Sequence, residues 1–206
     1  SSRKTLVRSS YNPNISTLNR NKVLHRIVEQ TPETNTVLIA TTGFTGRELF
    51  AIDDRSNQLY MVGSMGCASS LGLGVSLARP DLKVVIIDGD GAGLMRMGNF
   101  ATIGSYAGHN LTHILLNNEV HDSTGGQATV GGNIDFIKVA EASGYSVCLS
   151  GNEIDIIDKL FNLEPEDGPI FAHIEIASGT IENLPRPDIT PNEVLIRLMK
   201  HIKSSF

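Results

Sequence analysis

Val84-Val85-Ile86-Ile87-Asp88-Gly89-Asp90-Gly91-Ala92-Gly93 is a run of β-branched residues that stops abruptly at Asp-Gly-Asp-Gly. An apolar run of strand length, closed by a glycine turn, reads as a buried parallel strand whose carboxyl end opens into a glycine-rich loop. Open α/β sheets bind their ligands at such ends. A second apolar run, His113-Ile114-Leu115-Leu116, ends in two side-chain amides, Asn117 and Asn118. The 25 residues between Gly91 and Asn117 suffice for a crossover helix and the return strand of a right-handed βαβ unit. With the two strands as neighbours, Asp90 and an asparagine of the pair meet at one sheet edge. Oxygen donors so placed, with the backbone amides of Gly91, Ala92 and Gly93 facing an anion, suit a hard cation bridged to phosphates.

Outward from this unit, strands and helices alternate. Residues 1 to about 19 are polar and irregular and read as a linker or tail, leaving 20–206 as one domain. The apolar spacing predicts a helix from Asn21 to Thr31-Pro32 and a strand Thr36–Ala40 that runs into the loop Thr41-Thr42-Gly43-Phe44-Thr45-Gly46. A helix from Arg47 to just before Asp53 and a short strand Leu59–Val62 follow. Gly63-Ser64-Met65-Gly66 then turns into a helix rich in small residues, Cys67–Ala78, a composition that signals tight packing. The crossover helix is expected over Leu94–Ala107, with Leu94, Met95 and Met97 packed in the core. Beyond Leu116 the polar segment Asn117–Gln127 is longer than a simple connection needs, a mark of function at a carboxyl edge. Helices are predicted at Ile134–Ser143 and Glu153–Phe161, and strands at Tyr145–Leu149 and Pro169–Ile176. Thr190-Pro191-Asn192-Glu193 has a capping-box pattern opening a terminal helix, Val194–Ile202. The sum is an α/β domain, a doubly wound, about six-stranded, mostly parallel sheet with helices on both faces.

Composition bounds the partners. The 206 residues are 40% apolar and 19% charged, enough for one core, and the net charge of −5 leaves no basic footprint for nucleic acid. The apolar stretches are too short to span a membrane, and Ser1-Ser2-Arg3-Lys4 lacks the apolar region of a signal peptide, so the expected location is cytoplasmic. Two cysteines, Cys67 and Cys148, make neither a disulfide framework nor a zinc site and read as buried free thiols.

Gly-Asp-Gly, about 25 residues, then Asn-Asn resembles the signature of thiamine diphosphate enzymes. From about Asn21 to the C-terminus the chain is similar to the diphosphate-binding domain of thiamine diphosphate-dependent 2-oxoacid decarboxylases. Within that family it is most similar to the decarboxylases of phosphonopyruvate and sulfopyruvate. The resemblance is carried by Thr41-Thr42-Gly43-Phe44-Thr45-Gly46-Arg47-Glu48-Leu49, Gly63-Ser64-Met65-Gly66-Cys67-Ala68-Ser69 and His121-Asp122-Ser123-Thr124-Gly125-Gly126-Gln127. It implies that Asp90, Asn118 and the carbonyl of Val120 bind Mg²⁺, that Gly91 and Ala92, beside Gly89, face the diphosphate, and that Gly43 and Thr45 touch its other side. It further implies that Gly63, beside Ser64, presents its carbonyl to the aminopyrimidine and that Met65 holds the cofactor bent. Phosphonopyruvate would yield phosphonoacetaldehyde and carbon dioxide.

In that family a glutamate from a separate pyrimidine-binding domain contacts the aminopyrimidine, and these 206 residues hold only the diphosphate half. The expectation is a chain inactive alone, a β-type subunit or the C-terminal half of a longer enzyme, working as a homo- or hetero-oligomer with a pyrimidine-binding domain or α subunit. Glu48 and Glu119 lie near the implied site without matching that glutamate, and Glu119 stands where related sequences often have glycine. The alternatives are a sulfopyruvate decarboxylase β subunit and a non-catalytic cofactor-binding module.

Plainer roles compete at several positions. Asp88 reads as structurally paired rather than ligating. G-x-G-x-x-G is not matched, which excludes a nicotinamide fingerprint at Gly89–Gly93. His121, next to the metal loop, is a candidate for substrate contact or proton transfer. His113 and His173 read as structural, and His25, His109 and His201 as surface residues. Ser123, Thr124 and Gln127 either bind an anionic substrate tail or cap a helix, and Arg47 is a candidate anion partner.

Overall fold

A computed structural model describes residues 17–165 and 167–204. Most of the expected tail at 1–19 lies outside the described residues. At its end, Leu18 is buried, its carbonyl accepts from Ala177 N at 2.7 Å, and the Asn19 side chain caps the first helix by accepting from Lys22 N at 2.9 Å. That helix, α1 (Arg20–Gln30), buries the stripe Val23, Leu24, Ile27 and Val28.

Six strands form one parallel sheet: β1 (Thr36–Ala40), β2 (Gln58–Tyr60), β3 (Lys83–Gly89), β4 (Leu111–Asn117), β7 (Val147–Gly151) and β8 (Ile170–Glu175), in the order β2-β1-β3-β4-β8-β7. The chain steps outward from β1 to β2 and then returns to β3 on the other side of β1, so a topological switch point lies between β1 and β3. Helices α2 (Phe44–Ile52) and α7 (Asp155–Phe161) pack on α1, whereas α3 (Ala68–Ala78) and α6 (Phe136–Ser143) pack on α5 (Gly98–Tyr106). The doubly wound fold is as expected. The terminal helix α8 (Pro191–Ser204) is opened by the capping box, Thr190 Oγ1 and Glu193 Oε2 lying 2.6 Å apart.

Small residues in α3 let it sit close on the sheet. A Cβ on Gly72 would lie 2.4 Å from Cγ1 of Ile86, inside a side chain of the central strand. Aromatic packing continues the core over the neighbouring strand, where His113 pairs with Ile86, with Phe100 against His113, Tyr145 and Phe171.

Five details depart from the sequence reading. The crossover helix is broken into α4 (Asp90–Met95) and α5, because a glycine-rich start propagates poorly and Asn99 Nδ2 donates to Ser69 Oγ at 3.0 Å, drawing α5 onto α3. The break turns Met95 outward, 63% exposed, so it is not a core residue. Helix α2 begins at Phe44, three residues before Arg47, and the thiols of Cys67 and Cys148 are half-buried rather than buried. His25 and His109 are exposed, but His201 is half-buried with Nδ1 3.0 Å from Ser56 Oγ.

Candidate active site

Parallel pairing of Gly89 with Leu116 brings the tips of β3 and β4 side by side, so Asp90 leaves the sheet next to Asn117-Asn118. Asp90 is the first residue of α4 and is only 2% exposed. Burial pushes its carboxyl above the ordinary range, opposed by hydrogen bonds from the Thr129 hydroxyl and the Gly91 amide. It joins no ion pair among the described residues. A buried carboxylate without a cationic side chain either takes up a proton or is balanced by a cation from outside the chain.

The polar segment after β4 folds back over this tip. It forms a two-stranded antiparallel hairpin, β5 (Val120–His121) with β6 (Gln127–Ala128), which the sequence reading did not foresee. The hairpin delivers Thr129 to Asp90 and sets Gly131 against it. A Cβ on Gly131 would lie 2.7 Å from Asp90 Oδ2 and 3.0 Å from Asn117 Oδ1. Asn118 is held by donation of its Nδ2 to Asp122 Oδ2 at 2.6 Å, while its Oδ1 accepts from Val120 N at 3.3 Å. Glu119 between them takes φ +60°, the left-handed region that glycine adopts without cost.

A pocket of about 90 Å³ opens at these tips, and Thr45, Met65, Gly89, Asp90, Gly91, Ala92, Asn118, Val120, His121, Ser123 and Thr124 all line it. His121 and Met65 close over the glycine loop, for a Cβ on Gly91 would lie 2.5 Å from His121 Cε1 and 3.0 Å from Met65 Cε. Four expected residues stand outside that lining. Gly43 lines a neighbouring cavity; Gly63 and Ser64 form an exposed turn with φ of +64° and +46°; Gln127 closes its own loop, with Nε2 donating to Thr124 O at 2.9 Å. Arg47 points away, its Nε donating to Pro185 O at 3.1 Å.

Arg20 and Asp122 line the pocket as well; the sequence gives no sign of Arg20, and Asp122 stands in the resemblance-bearing segment without a role of its own. The Arg20 guanidinium, buried at the start of α1, donates to Glu48 Oε1 at 3.1 Å, to Gly179 O at 2.8 Å and to Asp122 Oδ2 at 2.8 Å. Asp122 in turn holds Asn118, so α1, α2 and the segment after β8 all fix the asparagine. No local pattern marks Arg20, since 102 residues separate it from Asp122. Deeper in, Asp88 and His113 face each other at 3.6 Å, and His113 Nδ1 lies 2.9 Å from Tyr145 Oη, while His173 Nε2 lies 3.1 Å from Asn117 Nδ2. These three are structural, as expected.

The donors at the strand tips are one carboxylate, one amide oxygen and one backbone carbonyl, a set that fits a hard divalent cation. Among the described residues no three His, Cys, Asp or Glu side chains converge, so a cation held here would rest on neutral oxygens around Asp90.

The model of the thiamine pyrophosphate enzyme C-terminal TPP-binding domain matches residues 45–174. The chain belongs to this family. It is 43% identical to phosphonopyruvate decarboxylase of Streptomyces viridochromogenes over 175 residues, 84% of this chain and 44% of that protein. It is 36% identical to the sulfopyruvate decarboxylase β subunit of Methanothermobacter thermautotrophicus over 82% of this chain and 88% of that subunit. The chain thus spans less than half the length of its phosphonopyruvate decarboxylase relatives. The fold matches a 2-oxoglutarate:ferredoxin oxidoreductase from Magnetococcus marinus with a TM-score of 0.62 at 18% identity, over 88% of this chain and 69% of that one. The family resemblance read from the motifs therefore holds, and thiamine diphosphate is the cofactor the domain family binds. No helix among the described residues is long and apolar enough to cross a membrane.

Proposed function

We propose that this chain is the diphosphate- and Mg²⁺-holding half of a thiamine diphosphate-dependent decarboxylase that converts phosphonopyruvate to phosphonoacetaldehyde and carbon dioxide. The observation that carries the reading is the buried, ion-unpaired Asp90 beside Asn118 and Val120 at adjoining strand tips. The identity to phosphonopyruvate decarboxylases, 43% and 44%, supports the substrate.

In this reading Asp90, Asn118 Oδ1 and the Val120 carbonyl would hold Mg²⁺, which would supply the positive charge that binds the diphosphate. Asp90 and Asp122 outnumber Arg20 among the charged residues of the pocket, so the bare site repels a diphosphate and the cation must offset that charge. Gly89, Gly91 and Ala92 bind the diphosphate through their backbone, and Gly43 and Thr45 close its other side. Gly63 and Ser64, on their exposed turn, serve the aminopyrimidine, with Met65 packed against the ring system. Bound thiamine diphosphate supplies the electron sink that lets carbon dioxide leave the 2-oxoacid. The side chains orient and shield: His121 transfers the proton at the substrate carbon, and the Ser123 and Thr124 hydroxyls face the substrate, with Gln127 holding Thr124 in place.

Completion of the site requires a pyrimidine-binding domain or α subunit, and the reading includes a homo- or hetero-oligomer working in the cytoplasm. A second reading, a sulfopyruvate decarboxylase β subunit, is favoured by the 88% of such a subunit that the chain spans. Carbon dioxide release from each 2-oxoacid, measured on the full-length protein with Mg²⁺ and thiamine diphosphate, separates them. Faster turnover of phosphonopyruvate is expected; faster turnover of sulfopyruvate selects the second reading; cofactor binding without release from either identifies a non-catalytic module.

A further inference from the structure

The loop after β1 and the end of β2 open into a second cavity, of about 400 Å³, beside the diphosphate pocket. The two share Thr42 and Ser123 as a common wall. Two guanidiniums, Arg47 and Arg186, line the larger cavity, and no acidic residue does. Neither arginine joins an ion pair among the described residues. Arg47 is spent on neutral groups: Nε donates to Pro185 O at 3.1 Å, Nη2 donates to Leu184 O, and the guanidinium lies over the Phe44 ring at 5.5 Å. Its charge is therefore undiminished, and its hydrogen bonds pin the segment before Arg186 onto α2. Pro185 and Pro187 flank Arg186 and fix the backbone on either side, so the exposed guanidinium is presented by a stiff strap.

We propose that this cavity receives the anionic tail of the 2-oxoacid, a phosphonate or other tetrahedral oxyanion, and that Arg186 is the residue that selects it. The inference rests on the decarboxylase reading and names a subsite within it. In phosphonopyruvate a single methylene separates the 2-oxo carbon from phosphorus, so carbonyl and tail must occupy adjoining spaces. Ser123, which faces the substrate in that reading, also lines the larger cavity, so that cavity adjoins the substrate's place. A planar guanidinium pairs two oxygens of such an anion at once, as it does those of a carboxylate, and the second negative charge of a phosphonate is what favours it over a carboxylate-tailed analogue. Arg47 is a positioning residue here, acting through the strap.

The test is calorimetric titration of the full-length protein with methylphosphonate, in the presence of Mg²⁺ and thiamine diphosphate so that the smaller pocket is filled. Saturable binding is expected, weakened by about tenfold or more in Arg186→Gln and only partly kept in Arg186→Lys, which retains the charge without the planar fork. Acetate is expected to bind far more weakly than methylphosphonate. Methylphosphonate that fails to bind, or that binds Arg186→Gln as it binds the parent, overturns the proposal. Thiamine diphosphate binding is read on the same samples. Its absence tells against the cofactor site itself, whereas cofactor binding with an Arg186-independent response tells against the tail site alone. In turnover, Arg186→Gln is expected to raise KM for phosphonopyruvate with kcat little changed.

Discussion

Replacing Gly131 by alanine puts one methyl group into the space where the metal-site residues meet. Gly131 does not have a positive φ, so the substitution brings no backbone strain. Its Cβ, however, would stand 2.7 Å from Asp90 Oδ2, 3.0 Å from Asn117 Oδ1 and 3.1 Å from Thr129 Oγ1. None of these is the free end of a flexible side chain. Asp90 is buried and tied to Thr129, and Asn117 Oδ1 accepts from Glu119 N at 3.1 Å. Overpacking of this kind costs about 1–3 kcal/mol. If the carboxylate moves aside equally in free and bound protein, the cost appears as lost stability. If the ligands must return to their places to hold the cation, it appears instead as about a 5- to 150-fold loss of cofactor affinity. The two losses together should reach about 1–3 kcal/mol, measured by urea unfolding and by titration with thiamine diphosphate at saturating Mg²⁺. Gly74→Ala is the control, because nothing lies within 4 Å of its Cβ in helix α3, and it should gain up to about 1 kcal/mol. A Gly131→Ala protein with parental stability and parental affinity would refute the packing of Gly131 on Asp90.

Two further outcomes follow from titratable groups that do not line the pocket. Burial lowers the pKa of His173, with Glu175 and Asp135 opposing it, so the folded chain keeps the imidazole neutral where the unfolded chain binds a proton. Stability from this source is full above a pH of about 6.5 and is lost as the pH falls toward the folded value. His173→Asn should flatten that acid limb in urea unfolding followed from pH 7 to 5; an unchanged limb would assign it to other groups. Burial, with Glu141 nearby, pushes the Cys148 thiol up to about 11. At pH 8 that leaves about one thiolate in a thousand, so iodoacetamide should label Cys148 at least about tenfold more slowly in the native than in the unfolded protein, read by peptide mass spectrometry.

The parts of the site legible in the sequence are those that the backbone makes locally. Val84–Ile87 and Ile114–Leu116 are buried in the middle of a parallel sheet and are continuously apolar, and the first polar residues after each mark the tips where Asp90 and Asn118 emerge. What escaped reading is what folding brings from a distance or what short elements hide. Strands β5 and β6 have two residues each, too few for an alternation to show, and so Thr129 and Gly131 were not connected to Asp90. Arg20 reaches Asp122 across the fold by a contact no spacing encodes. Met95 departs from its expected core position because the helical period does not continue through Arg96, where the helix breaks. Glu119 was legible as a departure at a glycine position, and its φ of +60° supplies the reason glycine suits that place.

The central claim, that Asp90 holds a divalent cation against a diphosphate, is tested most directly by isothermal calorimetry of thiamine diphosphate binding to the parent and to Asp90→Ala, with Mg²⁺ and with EDTA. Binding to the parent only when Mg²⁺ is present, and a loss in Asp90→Ala well beyond the about tenfold expected of one ordinary hydrogen bond, is the predicted result. Equal affinity of the two proteins in Mg²⁺, or parental affinity that survives EDTA, would contradict it.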